Sequence, residues 1–264
     1  MTISNEISFI SIENQNQDFP KHFHETFCIS LIRNGIEKIE LEDGFLYSQA
    51  NCISITNPYE VHANPVVDRD AKVSFDTLYI SGDFLSHLLN GKDLEFKNRQ
   101  IRDPQINSTF IQLLKQLKSG DHSQSGLVLK NLIYQLYPHS QTPEREKHSS
   151  FQSDYLTELI TYIEQNLEDK LYLDELAKII HLNKFGFSKK FKTLTGMTPM
   201  SYVLMKKVFS AKNKISPDCD LTDLAYAYNF TDIAHFSHSF KRYVGISPKE
   251  YRNQLSLKLP ILYK

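Results

Sequence analysis

Residues 173–202 read LDELAKIIHLNKFGFSKKFKTLTGMTPMSY, and residues 221–251 read LTDLAYAYNFTDIAHFSHSFKRYVGISPKEY. The second stretch repeats the first. Leu176-Ala177 recurs 48 residues later as Leu224-Ala225. Phe187-Ser188, Phe191-Lys192, Gly196, Pro199 and Tyr202 recur 49 residues later as Phe236-Ser237, Phe240-Lys241, Gly245, Pro248 and Tyr251. The one inserted residue falls in the turn between the two blocks. Each copy therefore reads as a helix, a short turn and a second helix, the layout of a helix-turn-helix. Two copies are too few for a solenoid, which needs about three or more units.

Leu176 and Ala177 mark the buried face of the first helix, where Ala lets the second helix cross closely. Phe187 and Phe191 stand four residues apart and point together at the core, as do Phe236 and Phe240. The face left outside carries Lys184, Phe185, Ser188, Lys189 and Lys192 in copy one. In copy two it carries Ile233, Ala234, His235, His238 and Lys241. An α-helix fits the major groove of B-form DNA, with its exposed N-terminal residues near base edges. Helix 199–215 then acts as a spacer; units about 34 Å apart enter successive major grooves. A helical bundle with a duplicated packing motif is the plainer alternative. The paired FK…G…P…Y blocks and the basic bias weigh against it.

Outward from the repeat, the whole C-terminal part is helical in pattern. Helices are expected at 154–167, 173–180, 184–194, 199–215, 221–228, 232–243 and 248–256, with start signals at Asp154, Asp174, Pro199, Asp232 and Pro248. Upstream lies PHSQTPEREKHSSFQ, residues 138–152, polar and without a hydrophobic period, which we read as a linker. Two amphipathic helices precede it, at 104–118 and 126–137, and a short one at 83–89. The first ninety residues read as short β-branched and aromatic strands: 7–12, 27–32, 36–41, 52–56 and 73–80. Asn34-Gly35 is a hairpin signal, and Glu42-Asp43-Gly44 and Asn57-Pro58 mark further turns. The pattern fits a β-sandwich or small barrel.

The 264 residues suggest about two domains. The net charge of −1 divides unevenly: residues 1–153 hold 14 Lys and Arg against 19 Asp and Glu, whereas residues 154–264 hold 16 against 12. No apolar run approaches the roughly 18 residues of a membrane span, and the first twenty residues show no secretory signal. Three scattered cysteines, Cys28, Cys52 and Cys219, form no CxxC and favour a reducing, cytoplasmic location. No Gly-rich phosphate loop, GxSxG or Cys/His nucleophile pairing is visible, so no enzyme is expected.

The segment from about Tyr155 to Asn253 closely resembles the DNA-binding domain of AraC/XylS-type bacterial transcription regulators. The resemblance is carried by Ile163-Glu164, Leu176-Ala177, Phe187 to Lys192, Gly196 to Pro199, Tyr202, Ala211, Leu224-Ala225, Phe230, Phe236-Ser237, Phe240-Lys241, Gly245 to Pro248 and Tyr251-Arg252. It implies two helix-turn-helix units joined by a long helix, binding double-stranded DNA. Asn229 stands where the family usually has Gly, and tolerates a left-handed backbone. Lys207 replaces the usual linker-helix Arg, which removes a bidentate contact. His238 sits where a long polar residue is common. DNA contacts are thus expected from Lys184, Phe185, Ser188, Lys189, Lys192, Ala234, His235, His238 and Lys241, with copy one reading more sequence than copy two.

His22-Phe23-His24 followed by His62 resembles a cupin barrel, the family's usual regulatory domain, through PKHFHE at 20–25, Asn34-Gly35 and NPYEVH at 57–62. In metal-binding cupins a Glu follows three or four residues after the HxH. Those positions are Cys28 and Ile29, so the ligand set is incomplete and neither metal nor cofactor is expected. His22, His24 and His62 then line an effector pocket or are satisfied on the barrel rim. The resemblance implies an α+β chain: a cupin-like regulatory domain at 1–100, a helical dimerisation segment at 101–137, the linker at 138–152 and the DNA-binding domain at 153–256. It further implies a homodimer, a small-molecule effector and activation of promoters through RNA polymerase, with no membrane partner. The alternative is a cupin metalloenzyme with a helical accessory domain.

Overall fold

The structure is a computed structural model that describes residues 7–68, 70, 72–119, 123–143 and 154–255. Two compact units are present, one built from most of the strands and the first three helices, the other from the remaining helices as far as Arg252 together with the short strand Phe19–His22. The class is α+β, as the resemblance implied.

The strands are β1 (Ile7–Gln15), β2 (Phe19–His22), β3 (Thr26–Asn34), β4 (Ile36–Leu41), β5 (Gly44–Gln49), β6 (Ile53–Thr56), β7 (His62–Asn64), β8 (Val73–Ser81), β9 (Glu95–Phe96), β10 (Gln100–Ile101) and β11 (Ser140–Gln141). They form a five-stranded sheet in the order β1-β8-β3-β6-β10, a four-stranded sheet in the order β2-β7-β4-β5, and the small pair β11-β9. Three helices are interleaved with the last strands: α1 (Gly82–Leu88) before β9, and α2 (Pro104–Ser119) and α3 (Ser125–Leu136) between β10 and β11.

Side chains alternate across a strand, so a sheet covered on both sides presents two different faces. Phe27, Ile29 and Leu31 of β3, Ile53 and Ile55 of β6, and Leu78 and Ile80 of β8 share one apolar core with α2 and α3. The intervening residues Cys28, Ser30, Ser54, Thr56, Thr77 and Tyr79 take the other face, where the strand register sets Ser30 opposite both Ser54 and Thr77. That inner face is polar.

Three expectations change here. The apolar stripes of α2 and α3 could serve dimerisation or the intramolecular core, and dimerisation was the favoured reading. Ile106, Phe110, Leu113, Leu114 and Leu117, with Leu129, Leu132, Ile133 and Leu136, are instead buried in the core of their own unit. Asn34-Gly35 does not close a hairpin: β3 pairs with β6 and β8, and β4 with β5 and β7. It is a corner at which the chain leaves one sheet for the other. The hairpin lies between β4 and β5, where Leu41 faces Gly44. Finally, the start of the expected linker is ordered. Ser140 and Gln141 pair with Phe96 and Glu95, and the amides of Lys97 and Asn98 donate to the His139 carbonyl. The rest of that linker, from residue 144, lies outside the described residues.

The second unit comprises α4 (Asp154–Gln165), α5 (Leu173–Ile179), α6 (Lys184–Thr195), α7 (Pro199–Lys214), α8 (Leu221–Ala227), α9 (Ile233–Val244) and α10 (Pro248–Leu255). Short polar caps start them. Asn183, Thr198, Asp220 and Asp232 each accept backbone N–H groups from the first turn of the following helix. Gly196 and Gly245, both left-handed, end α6 and α9. The two turns are built alike. His181 (φ 55°) and Asn229 (φ 56°) are left-handed, and the next amides, Leu182 and Phe230, donate to the carbonyls of Ala177 and Ala225 at 3.0 Å. Asn229 thus does what was expected of it, and copy one places a histidine in the same conformation.

Gly35 is the position least able to take a side chain. It has φ 79°, and an added Cβ would lie 2.3 Å from the Lys72 carbonyl oxygen. Gly35→Ala is expected to cost about 2 kcal/mol or more, read as a lowered denaturation midpoint in urea; an unchanged midpoint contradicts this account of the corner.

Candidate nucleic-acid interface and effector site

The core of each helix-turn-helix decides which residues face out. Phe187 and Phe191 are buried edge-to-face at 5.6 Å, and Phe191 meets Tyr202 at 5.5 Å. Phe236, Phe240 and Tyr251 repeat the arrangement at 5.6 and 5.7 Å. With the phenylalanines inward, the opposite face of α6 exposes Lys184, Phe185, Lys189 and Lys192, with Ser188 half-buried. Phe185 is 78% exposed, an unusual position for a large apolar ring at the first turn of a helix. The Asn183 side chain accepts from the amides of Phe185 and Gly186 at 3.1 and 2.9 Å, which fixes the start of the helix. Lys184 reaches Asp174 of α5 at 3.9 Å, a long and solvated ion pair.

On α9, Ala234, His235, His238 and Lys241 are exposed. His235 is less available than the sequence implies. Its ring packs on Phe230 at 5.3 Å, and its Nδ1 accepts from the Thr231 amide at 3.4 Å. Two cations on these helices had not been singled out, Lys190 on α6 and Arg242 on α9, both exposed. Their signal was present in the Lys189-Lys190 and Lys241-Arg242 pairs.

In the first unit, His24 and His62 face each other at 5.6 Å between ring centroids, and His24 meets Tyr79 edge-on at 5.3 Å. One ring nitrogen from each of His22, His24 and His62 lies within 4.8 Å of the others. Nδ1 of His22 bonds the Pro20 carbonyl at 2.7 Å, and Nδ1 of His62 bonds the Glu60 carbonyl at 2.8 Å. A carbonyl only accepts, so both Nδ1 atoms carry a proton. Burial, with Arg99 nearby, pushes the His62 imidazolium down to about 4, so His62 is neutral near pH 7. With Nδ1 of His22 and of His62 anchored to carbonyls and His62 neutral, the three rings form a set that can hold a divalent transition ion.

Glu37 of β4 was missed. It is buried, accepts from the Ser54 hydroxyl and, at 3.2 Å, from the Asn64 amide, and so joins β4, β6 and β7 across the polar interior. Burial raises its carboxyl above the ordinary carboxylate range, against the opposing hydrogen bonds. The period-2 pattern of β4, with Ile39 inward, placed Glu37 inward as well; its polar identity hid it.

Comparison with known proteins agrees with this layout. A family profile described as an AraC-like ligand binding domain matches residues 5–137, and a helix-turn-helix domain profile matches residues 176–254. HTH-type transcriptional activator AarP of Providencia stuartii is 32% identical over 107 residues, which cover 40% of this chain and 79% of that protein. HTH-type transcriptional activator RhaS of Yersinia pestis (strain Pestoides F) is 25% identical across 97% of this chain and all of its own length. Among solved structures, apo ToxT from Vibrio cholerae superposes with a TM-score of 0.59 at 14% identity, covering 95% of this chain and 98% of that one. At that identity the likeness concerns the fold. No helix among the described residues is long and apolar enough to cross a membrane. With a ligand-binding profile over its first half and two helix-turn-helix units in its second, the chain belongs to the AraC family of DNA-binding transcription regulators.

Proposed function

We propose that this regulator is an activator that reads DNA mainly with α6, holds it with α9, and is controlled by a small polar effector inside its β-unit. The supporting observation is the pair of helix-turn-helix units whose outward faces differ: four lysines on α6, and on α9 Ile233, Ala234 and two histidines ahead of Lys241 and Arg242. Lys189 and Ser188 lie where a recognition helix meets base edges, and Lys184, Lys192 and Lys241 where it meets phosphates. Ala234 is suited to a thymine methyl group, and His235 and His238 to the backbone. Activation and a contact with RNA polymerase follow the similarity to AarP and RhaS, both transcriptional activators by name.

Dimerisation, if the inner stripes are core, falls to the outer face of the helical layer. Leu127 (71% exposed) and Tyr134 (48%) lie two turns apart on α3, and Ile111 (43%) is exposed on α2. This is the surface we assign to a second copy of the chain.

The effector reading rests on the inner face of Ser30, Ser54, Thr77 and Glu37, and on His22, His24 and His62. A hydrogen-bonding ligand suits that lining better than an aliphatic one. The histidine cluster favours a second reading, in which a divalent transition ion is the ligand or part of its site.

Three measurements check these statements. Lys189→Ala is expected to cost about 1–3 kcal/mol on a specific site and to relax preference at one base pair, whereas Lys192→Ala weakens all sites alike and flattens the salt dependence. Equal losses on specific and random duplexes for Lys189→Ala remove its base-reading role. Leu127→Glu is expected to shift sedimentation toward the monomer; an unchanged profile places the dimer contact elsewhere. Titration of the metal-free chain with Zn²⁺ is expected to show one saturable site that His62→Ala abolishes, and its absence in the wild type ends the metal reading.

A further inference from the structure

Lys207 is a buried amine in the middle of α7, the helix between the two helix-turn-helix units. Its Nζ donates to the Asp169 carbonyl at 2.7 Å and to the Tyr228 carbonyl at 3.0 Å. The two carbonyls belong to different halves of the unit. Asp169 lies in the turn between α4 and α5, which leads into copy one. Tyr228 is the C-cap of α8 in copy two, where helix carbonyls have no intrahelical partner and the helix dipole is negative. An ammonium suits that place. Burial alone pushes its pKa down, and the Asp169 carboxylate opposes the fall.

Two further bonds tie the same segments. The Asn229 amide donates to the Glu168 carbonyl, and Ser210 of α7 bonds the Tyr228 hydroxyl at 2.8 Å. On the other side of α7, Lys206 pairs with Glu164 of α4 at 2.7 Å. The turn of copy two is thus fastened to the entrance of copy one by Lys207 of the connecting helix and by the direct bond from Asn229.

We propose that Lys207 is a positioning residue that fixes α6 and α9 relative to each other, so that the chain accepts one spacing between the two DNA segments it reads. The inference rests on the proposed DNA-reading role of α6 and α9. It differs from the sequence expectation for this position, since Lys207 points into the protein and its loss removes no DNA contact. A Lys holds two carbonyls from different segments without needing the planar fork of an Arg.

The test uses the full-length chain and a duplex selected by the wild type from random DNA, together with the same duplex carrying one base pair inserted or deleted between the two protected segments. The wild type is expected to lose about tenfold or more in affinity on either spacing change. Lys207→Met is expected to bind the selected duplex about tenfold more weakly and to lose most of that spacing penalty, while Lys207→Arg restores both. Cooperative thermal unfolding confirms that the variants are folded. If Lys207→Met does not fold, Asn229→Gly, which keeps the left-handed turn but deletes the amide bond, and Tyr228→Phe take its place with the same expected loss of spacing preference. A folded variant that keeps the full penalty overturns the proposal, as does a wild type indifferent to spacing. A wild type that selects no sequence at all overturns the DNA-reading roles of α6 and α9 themselves, a separate failure.

Discussion

Two phenylalanines one turn apart hold each recognition helix, and their burial sets the rotation of that helix about its own axis. Phe187 and Phe191, like Phe236 and Phe240, are within 2% of full burial. Each such ring is worth about 1.5–3 kcal/mol on burial, with about 0.5–1.5 more for each edge-to-face pair. Turning α6 enough to bring a different face outward would expose both rings together. That cost is a large fraction of the stability of an ordinary domain. Which residues face outward on each helix is therefore decided from inside, by rings that are themselves buried. Phe185 shows the contrast: it has the same side chain, two positions away from Phe187, and is left outside.

The same packing in both copies makes their differing outer faces more informative. The scaffold repeats down to the left-handed residue in each turn, yet α6 carries four lysines and α9 a cluster of Ile233, Ala234 and two histidines. Lysine charge acts at range and weakens with salt, and it steers approach to any duplex. Small apolar groups act only in contact and depend on close fit. The two helices thus offer different chemistry on one scaffold, and their relative placement matters as much as the groups they carry.

How much of this was legible in the sequence depended on how local each signal was. Helix ends agreed within two residues because period, caps and C-terminal glycines are all written within a few positions. The strands 19–22, 44–49 and 62–64 were not read as strands. Phe19–His22 contains Pro20, and His62–Asn64 is three residues long, so neither offers a β-branched run. Asn34-Gly35 misled because a left-handed Gly is needed equally by a hairpin and by a corner between sheets. Only the partner of each strand tells them apart, and that is not a local property. The stripe on α2 and α3 misled for a similar reason, since an amphipathic face does not say what covers it. The histidines were found by their spacing. Their convergence to within 4.8 Å was hidden because His62 arrives from a strand forty residues away.

The polar interior of the β-unit sets a condition on any effector. Ser30 already bonds Thr77 at 2.7 Å, and Glu37 already accepts from Ser54 and Asn64. A ligand entering there exchanges bonds instead of adding them, and a neutral exchange yields only about 0.5–1.5 kcal/mol each. Driving a regulator from one state almost wholly into another takes about 5.5 kcal/mol of difference in binding between the two states. Neutral contacts reach that only if four or more of them form in one state and not in the other. A bond to an ionised partner counts for about twice as much, and Glu37 is the acid that the interior holds. The physics therefore directs attention to Glu37 and the clustered imidazoles, whose charge a ligand can change, ahead of the hydroxyls beside them.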